Sequence, residues 1–170
     1  MPNVRHRPLK LLEFDKELEH LVYTKCMDMV GVHIRRGDLV DDDSDAYREW
    51  LNRDDDNWKH AYLNDEYYIK ICDKILETNP RQIFYLSTDA TLDEVKFFTD
   101  RYDTVMSDHM LLHKKERKKW GFAQGYGTPK IDIHDITDIL ALSYSKKFIA
   151  SNSMWSEFCS VYRKVPTIYP

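Results

Sequence analysis

Met29-Val30-Gly31-Val32-His33-Ile34-Arg35-Arg36-Gly37-Asp38 changes character part-way along. Its first six residues form a short apolar run of the buried-strand kind. The remainder is two guanidinium groups, a glycine and an acid. Charged side chains on an apolar strand are costly to bury unless they are paired. The stretch therefore predicts a strand over Met29–Ile34 that ends in a turn where charge is used. Side chains alternate along a strand, which sets His33 and Arg35 on one face and Ile34 and Arg36 on the other. Gly37 lets the backbone turn tightly. Arg36 is expected to brace this loop through an acid such as Asp38.

Working outward, apolar β-rich runs alternate with helical patterns. Leu9–Tyr23 carries apolar residues at helical spacing, and Asp41–Asn64 is acidic and irregular, a surface loop. Asn64 can cap a helix over Asp65–Glu77, with Pro80 beyond it as a stop. Ile83–Ser87 reads as the next strand, and Thr91 with Glu94 forms a capping box for a helix reaching Thr99. Thr104–Met106 is a short strand. Lys114–Lys119 with Gly121, Gly125 and Gly127 reads as a loop. A helix over Ile136–Tyr144, a strand over Phe148–Ala150, a helix over Met154–Tyr162 and a strand over Pro166–Tyr169 complete the chain. Strands alternating with helices predict βαβ units and a mainly parallel α/β sheet. Residues 1–28 read as a helical lead-in and 29–170 as the body of one domain.

The chain has 170 residues, 42% hydrophobic and 32% charged, enough for one globular core. A net charge of −4 argues against a nucleic-acid partner and requires any grip on phosphate to be local. Cys26, Cys72 and Cys159 lie far apart with no CxxC pair, which excludes a zinc ribbon and speaks for buried thiols. His109 and His113 lack the glutamate of a zinc-protease helix, so no metal is expected. Neither a secretory leader nor a membrane span is legible, giving an expectation of a cytoplasmic protein. The final strand has no covering helix after it, which suggests a truncated domain or one completed by another segment.

Four clusters carry chemistry. At the end of the first strand, Arg35 is the candidate phosphate clamp, because guanidinium gives paired hydrogen bonds to phosphate oxygens. Ligands of open α/β sheets bind beyond the carboxyl ends of the strands. A purely structural Arg–Asp turn is the plainer alternative. Ser151-Asn152-Ser153 and Ser156 join a strand to a helix, where exposed N–H groups attract phosphate. Ser153 as a simple N-cap explains the same residues. Asp138 near a helix start could be a cap or could accept two hydrogen bonds from guanine. Asp89, in Ser87-Thr88-Asp89, is a turn residue first and borders the same crevice second.

Together these clusters resemble the three motifs of the fucosyltransferase superfamily. Val32–Asp38 is similar to the first motif, Phe84–Asp89 to the second, and Asp138 through Ser143 to Ser151–Ser153 and Ser156 to the third, in the same order. The resemblance spans Met29–Phe158 and is strongest to the α-1,2 group. It implies a Rossmann-like parallel sheet flanked by helices, like the C-terminal half of a GT-B glycosyltransferase. It further implies a GDP-fucose donor, an inverting transfer to a glycan hydroxyl and no metal. By the same resemblance Arg35 contacts the β-phosphate, His33 lies near the nucleotide, and Asp138 faces guanine. Arg36, Gly37, Asp89, Ser151, Asn152, Ser153 and Ser156 are counted with the donor site. Asp38, or Asp41, Asp42 or Asp43, is the candidate general base. The acceptor-binding half of such enzymes is not legible here. The alternative reading is therefore a non-catalytic GDP-sugar module, or one half of a split enzyme working with a separate acceptor domain or as a homo-oligomer.

Overall fold

The computed structural model describes residues 14–36, 63–111 and 133–170, without the side chain of Met154. Helix α1 (Lys16–Cys26) starts where Asp15 accepts hydrogen bonds from the Glu17 and Leu18 amides. Strand β1 (Val30–Ile34) follows, buried along its whole length. Helix α2 (Asp65–Thr78), capped by Asn64, leads to β2 (Phe84–Thr88). Next come the single-turn α3 (Lys96–Thr99), β3 (Thr104–Val105) and α4 (Ser107–Met110). Helix α5 (Ile133–Tyr144), β4 (Lys147–Ile149), α6 (Met154–Tyr162) and β5 (Thr167–Ile168) end the chain.

The strands form one sheet in the order β3-β2-β1-β4-β5, every pair parallel. This is the Rossmann-like arrangement expected. Continuously apolar strands are what a parallel sheet covered on both faces requires. On one face Val30, Val32, Ile34, Phe84, Leu86 and Ile149 pack with Tyr68 and Cys72 of α2 and Phe98 of α3. On the other, Tyr85 and Phe148 pack with Val22 and Cys26 of α1, Leu140 and Leu142 of α5, and Cys159 of α6. Gly31 lies on this second face. A Cβ there would sit 2.8 Å from the Ser145 hydroxyl and 3.1 Å from Leu142, so glycine lets α5 approach the central strand. Ser145 has little room to yield, because its hydroxyl bonds the Leu142 and Lys147 carbonyls.

Several boundaries differ from the sequence-based expectation for identifiable reasons. The Thr91–Glu94 capping pair forms, with the Thr91 amide 2.7 Å from the carboxylate. The chain then makes turns before regular helix begins at Lys96. Met106 ends no strand; it precedes α4, which the pattern did not predict. Helix α1 reaches Cys26, beyond the expected Tyr23, and residues 9–13 lie outside the described residues. The 41–62 part of the expected acidic loop and the Lys/Gly segment 114–127 lie outside them as well. No described helix is long and apolar enough to cross a membrane.

Candidate functional site

A parallel sheet has a natural ligand position where its strand order reverses, at the carboxyl ends of the two strands that diverge. Here those strands are β1 and β4, which lie side by side. Residues His33, Arg35 and Arg36 stand at the end of β1, and Ser151, Asn152 and Ser153 follow β4. The chain thus brings the first and third sequence clusters together, although His33 and Ser156 are 123 residues apart.

His33 is the junction. Its Nδ1 lies 2.8 Å from the Ser156 hydroxyl, 3.0 Å from Ser151 and 3.3 Å from Ser153. Ser151 also hydrogen-bonds Ser153 and Ser156 through its hydroxyl, each at 3.1 Å. The backbone fixes this group: Ser156 accepts from the Ser151 amide, and Ser153 caps α6 by accepting from the Ser156 amide. The N-cap reading of Ser153 is therefore correct as local structure. One ring nitrogen can bond these hydroxyls only in turn. Hydroxyls rotate freely to suit their partners, so the cluster can exchange partners at low cost. His33, Ser151 and Ser156 are buried, Ser153 is half-buried and Asn152 exposed.

The opposite face of β1 is organised by charge. Arg36 is 3% exposed, and its guanidinium donates to the Leu63 carbonyl at 2.5 Å and to the Asp65 carboxylate at 2.6 Å. It also lies over the Tyr68 and Phe97 rings, 5.9 Å from each centroid. Arg36 is thus tied to Asp65 of α2, a partner the sequence did not suggest, whereas the expected brace through Asp38 lies outside the described residues. Asp89, just past β2, accepts a 2.7 Å hydrogen bond from the Arg36 amide. Arg35 is half-buried. Gly37, Asp38 and Asp41–Asp43 lie outside the described residues.

Asp138 does not stand at a helix start. Helix α5 begins no later than Ile133, so Asp138 occupies its second turn and is no cap. It is 4% exposed, and its carboxylate accepts a 2.6 Å bond from the Tyr85 hydroxyl. Burial, and then the neighbouring Asp138 charge, push the Tyr85 phenol well above its ordinary value, which keeps it a neutral donor. Tyr67 was missed altogether. Its hydroxyl donates to the Ala150 carbonyl at 3.3 Å, placing an aromatic ring of α2 at the end of β4. Only its position two residues past the Asp65 helix start could have signalled it. Among the described residues no three His, Cys, Asp or Glu side chains gather as a metal site.

This architecture has known counterparts. POFUT1 in complex with GDP-fucose superposes with a TM-score of 0.51 at 11% identity, over 91% of this chain and 47% of that one. POFUT1 in complex with GDP gives 0.51 at 9% identity, over 92% and 47%. This chain shares its fold with these structures. This chain spans about half the length of those neighbours. No protein-family model and no curated protein sequence matches it.

Proposed function

We propose that this chain binds the donor of a glycosyl transfer, GDP-fucose, and serves as the donor half of an inverting fucosyltransferase of GT-B-like build. One observation carries the reading: His33 of β1 meets Ser151, Ser153 and Ser156 across the point where the strand order reverses. A diphosphate lying in that crevice would meet the amino end of α6 and its capping hydroxyls on one side. Arg35 would meet it from the tip of β1. The likeness in fold to POFUT1, a GDP-fucose protein O-fucosyltransferase, supports the choice of nucleotide and sugar.

In this mechanism an acceptor hydroxyl of a glycan attacks the anomeric carbon from the face opposite the diphosphate. The C–O bond to the β-phosphate breaks, and GDP leaves with the bonding pair. Arg35 stabilises the charge developing on the leaving phosphate, the part that a metal plays elsewhere. Asp38 or a neighbouring acid of 41–43 takes the acceptor's proton. The same cluster also serves a second reading, a non-catalytic GDP-sugar-binding module.

The test is a thermal-shift panel of GDP, GDP-fucose, GDP-mannose, UDP and ADP. A ligand that binds only the folded state raises stability by RT ln(1 + [L]/Kd). Stabilisation by guanine nucleotides above UDP and ADP is expected. Equal indifference to all five ends both readings. Calorimetric GDP binding without transfer or donor hydrolysis selects the module.

A further inference from the structure

We infer that the Arg36–Asp65 pair is a positioning device that aims Arg35 at the diphosphate, an inference that rests on the donor-binding reading above. Two chain segments converge on Arg36. The Arg36 amide is held by Asp89 beyond β2, at 2.7 Å. The Arg36 guanidinium is held by the Leu63 carbonyl and by Asp65 at the start of α2, at 2.5 and 2.6 Å. The same Nη1 lies 3.5 Å from the Arg35 carbonyl. Arg36 is buried, whereas the Asp65 side chain is 48% exposed. Rings of Tyr68 and Phe97 flank the guanidinium, each centroid 5.9 Å away.

The backbone from which Arg35 projects is thereby tied to α2 and to the end of β2. A long arginine side chain loses rotamer freedom when it grips a ligand. Fixing its backbone in advance lowers that cost, which is the general benefit of preorganisation. Asp65 grips Arg36, just past β1, whereas His33 meets the serine cluster from within that strand. The effect of Asp65 on a ligand must therefore pass through Arg36 and the backbone it fixes.

The experiment is a double-mutant cycle on the full chain, read by calorimetric GDP affinity, with Asp65→Ala, Arg35→Ala and the pair. Asp65→Ala is expected to weaken GDP about tenfold, the size of one charge-assisted hydrogen bond. In the Arg35→Ala background the same change is expected to do almost nothing, since there is no longer a side chain to aim. Asp65→Glu, which keeps the carboxylate, should restore part of the affinity. Losses that add, or an Asp65→Ala affinity equal to wild type, overturn the inference. Should Asp65→Ala not fold, Arg36→Lys replaces it in the same cycle, keeping charge while losing the fork. Absence of GDP binding by the wild-type chain is a separate outcome: it removes the donor-binding reading, and the positioning role falls with it.

Discussion

The two faces of β1 end in opposite chemistry. Toward α2, Arg36 is closed into an ion pair with Asp65 and a backbone carbonyl. Toward α6, His33 meets three neutral hydroxyls around one ring nitrogen. A charge pair with its carbonyl and aromatic neighbours is expensive to reopen. A hydroxyl cluster rearranges by rotation about single bonds. On the donor-binding reading, the difference separates a face that holds the fold from one able to rearrange around a guest. His33 and Arg36, three positions apart at the end of β1, divide these tasks because an odd separation sends side chains to opposite sides.

The largest effect that would break this division is on binding. Arg35→Ala is expected to weaken GDP about hundredfold, as removal of a paired charge contact does. Unchanged affinity by calorimetry would place the diphosphate elsewhere. Arg36→Met should act on stability as well as on the roughly tenfold share of GDP affinity that its pair with Asp65 supports. It leaves the Leu63 carbonyl without its donor and should cost about 2 kcal/mol in urea unfolding, below the value for a fully buried pair because Asp65 is half exposed. Ser153→Ala sharpens the other side. Losing the cap should cost about 1 kcal/mol. A simultaneous fall in GDP affinity is expected, and stability loss without it would leave Ser153 a cap alone.

The smallest effect concerns acid. The Tyr144 hydroxyl, and then Arg163, hold the Glu19 carboxyl below its ordinary value of 4.5 against the opposing push of burial. A lowered carboxylate contributes stability above its unfolded value, and that contribution is lost as pH falls through the lower folded one. Glu19→Gln should therefore flatten the decline in stability below about pH 4.5, by less than about 1 kcal/mol because the pair is partly exposed. An acid limb identical to wild type would show that this pair, far from β1, contributes nothing. It is the control against which the Arg36 pair is measured.

Much of this was legible locally. The limits of α6 match the expected Met154–Tyr162, because the Ser153 cap and the helical spacing both act within a few residues. The α2 start at Asp65 was fixed by Asn64 for the same reason. The alternation of His33 and Arg36 was also readable, since it needs only the geometry of a strand. The short α4 carried no periodic signal long enough to see. Helix α5 began a turn before the expected Ile136, which moved Asp138 from a supposed cap into the core beside Tyr85.

What the sequence determined by itself was which segments become strands and helices, and that Arg35, Arg36 and the serine cluster would sit at strand ends. Only the tertiary structure decided that β4 lies against β1, so that serines far along the chain surround His33. It also decided that Asp65 captures Arg36 and that Tyr85 occupies Asp138. The physical reason is range. Caps and side-chain alternation are set by neighbours a few residues away. Strand order and buried polar pairs are set by whichever distant groups the packed layers bring within hydrogen-bonding reach.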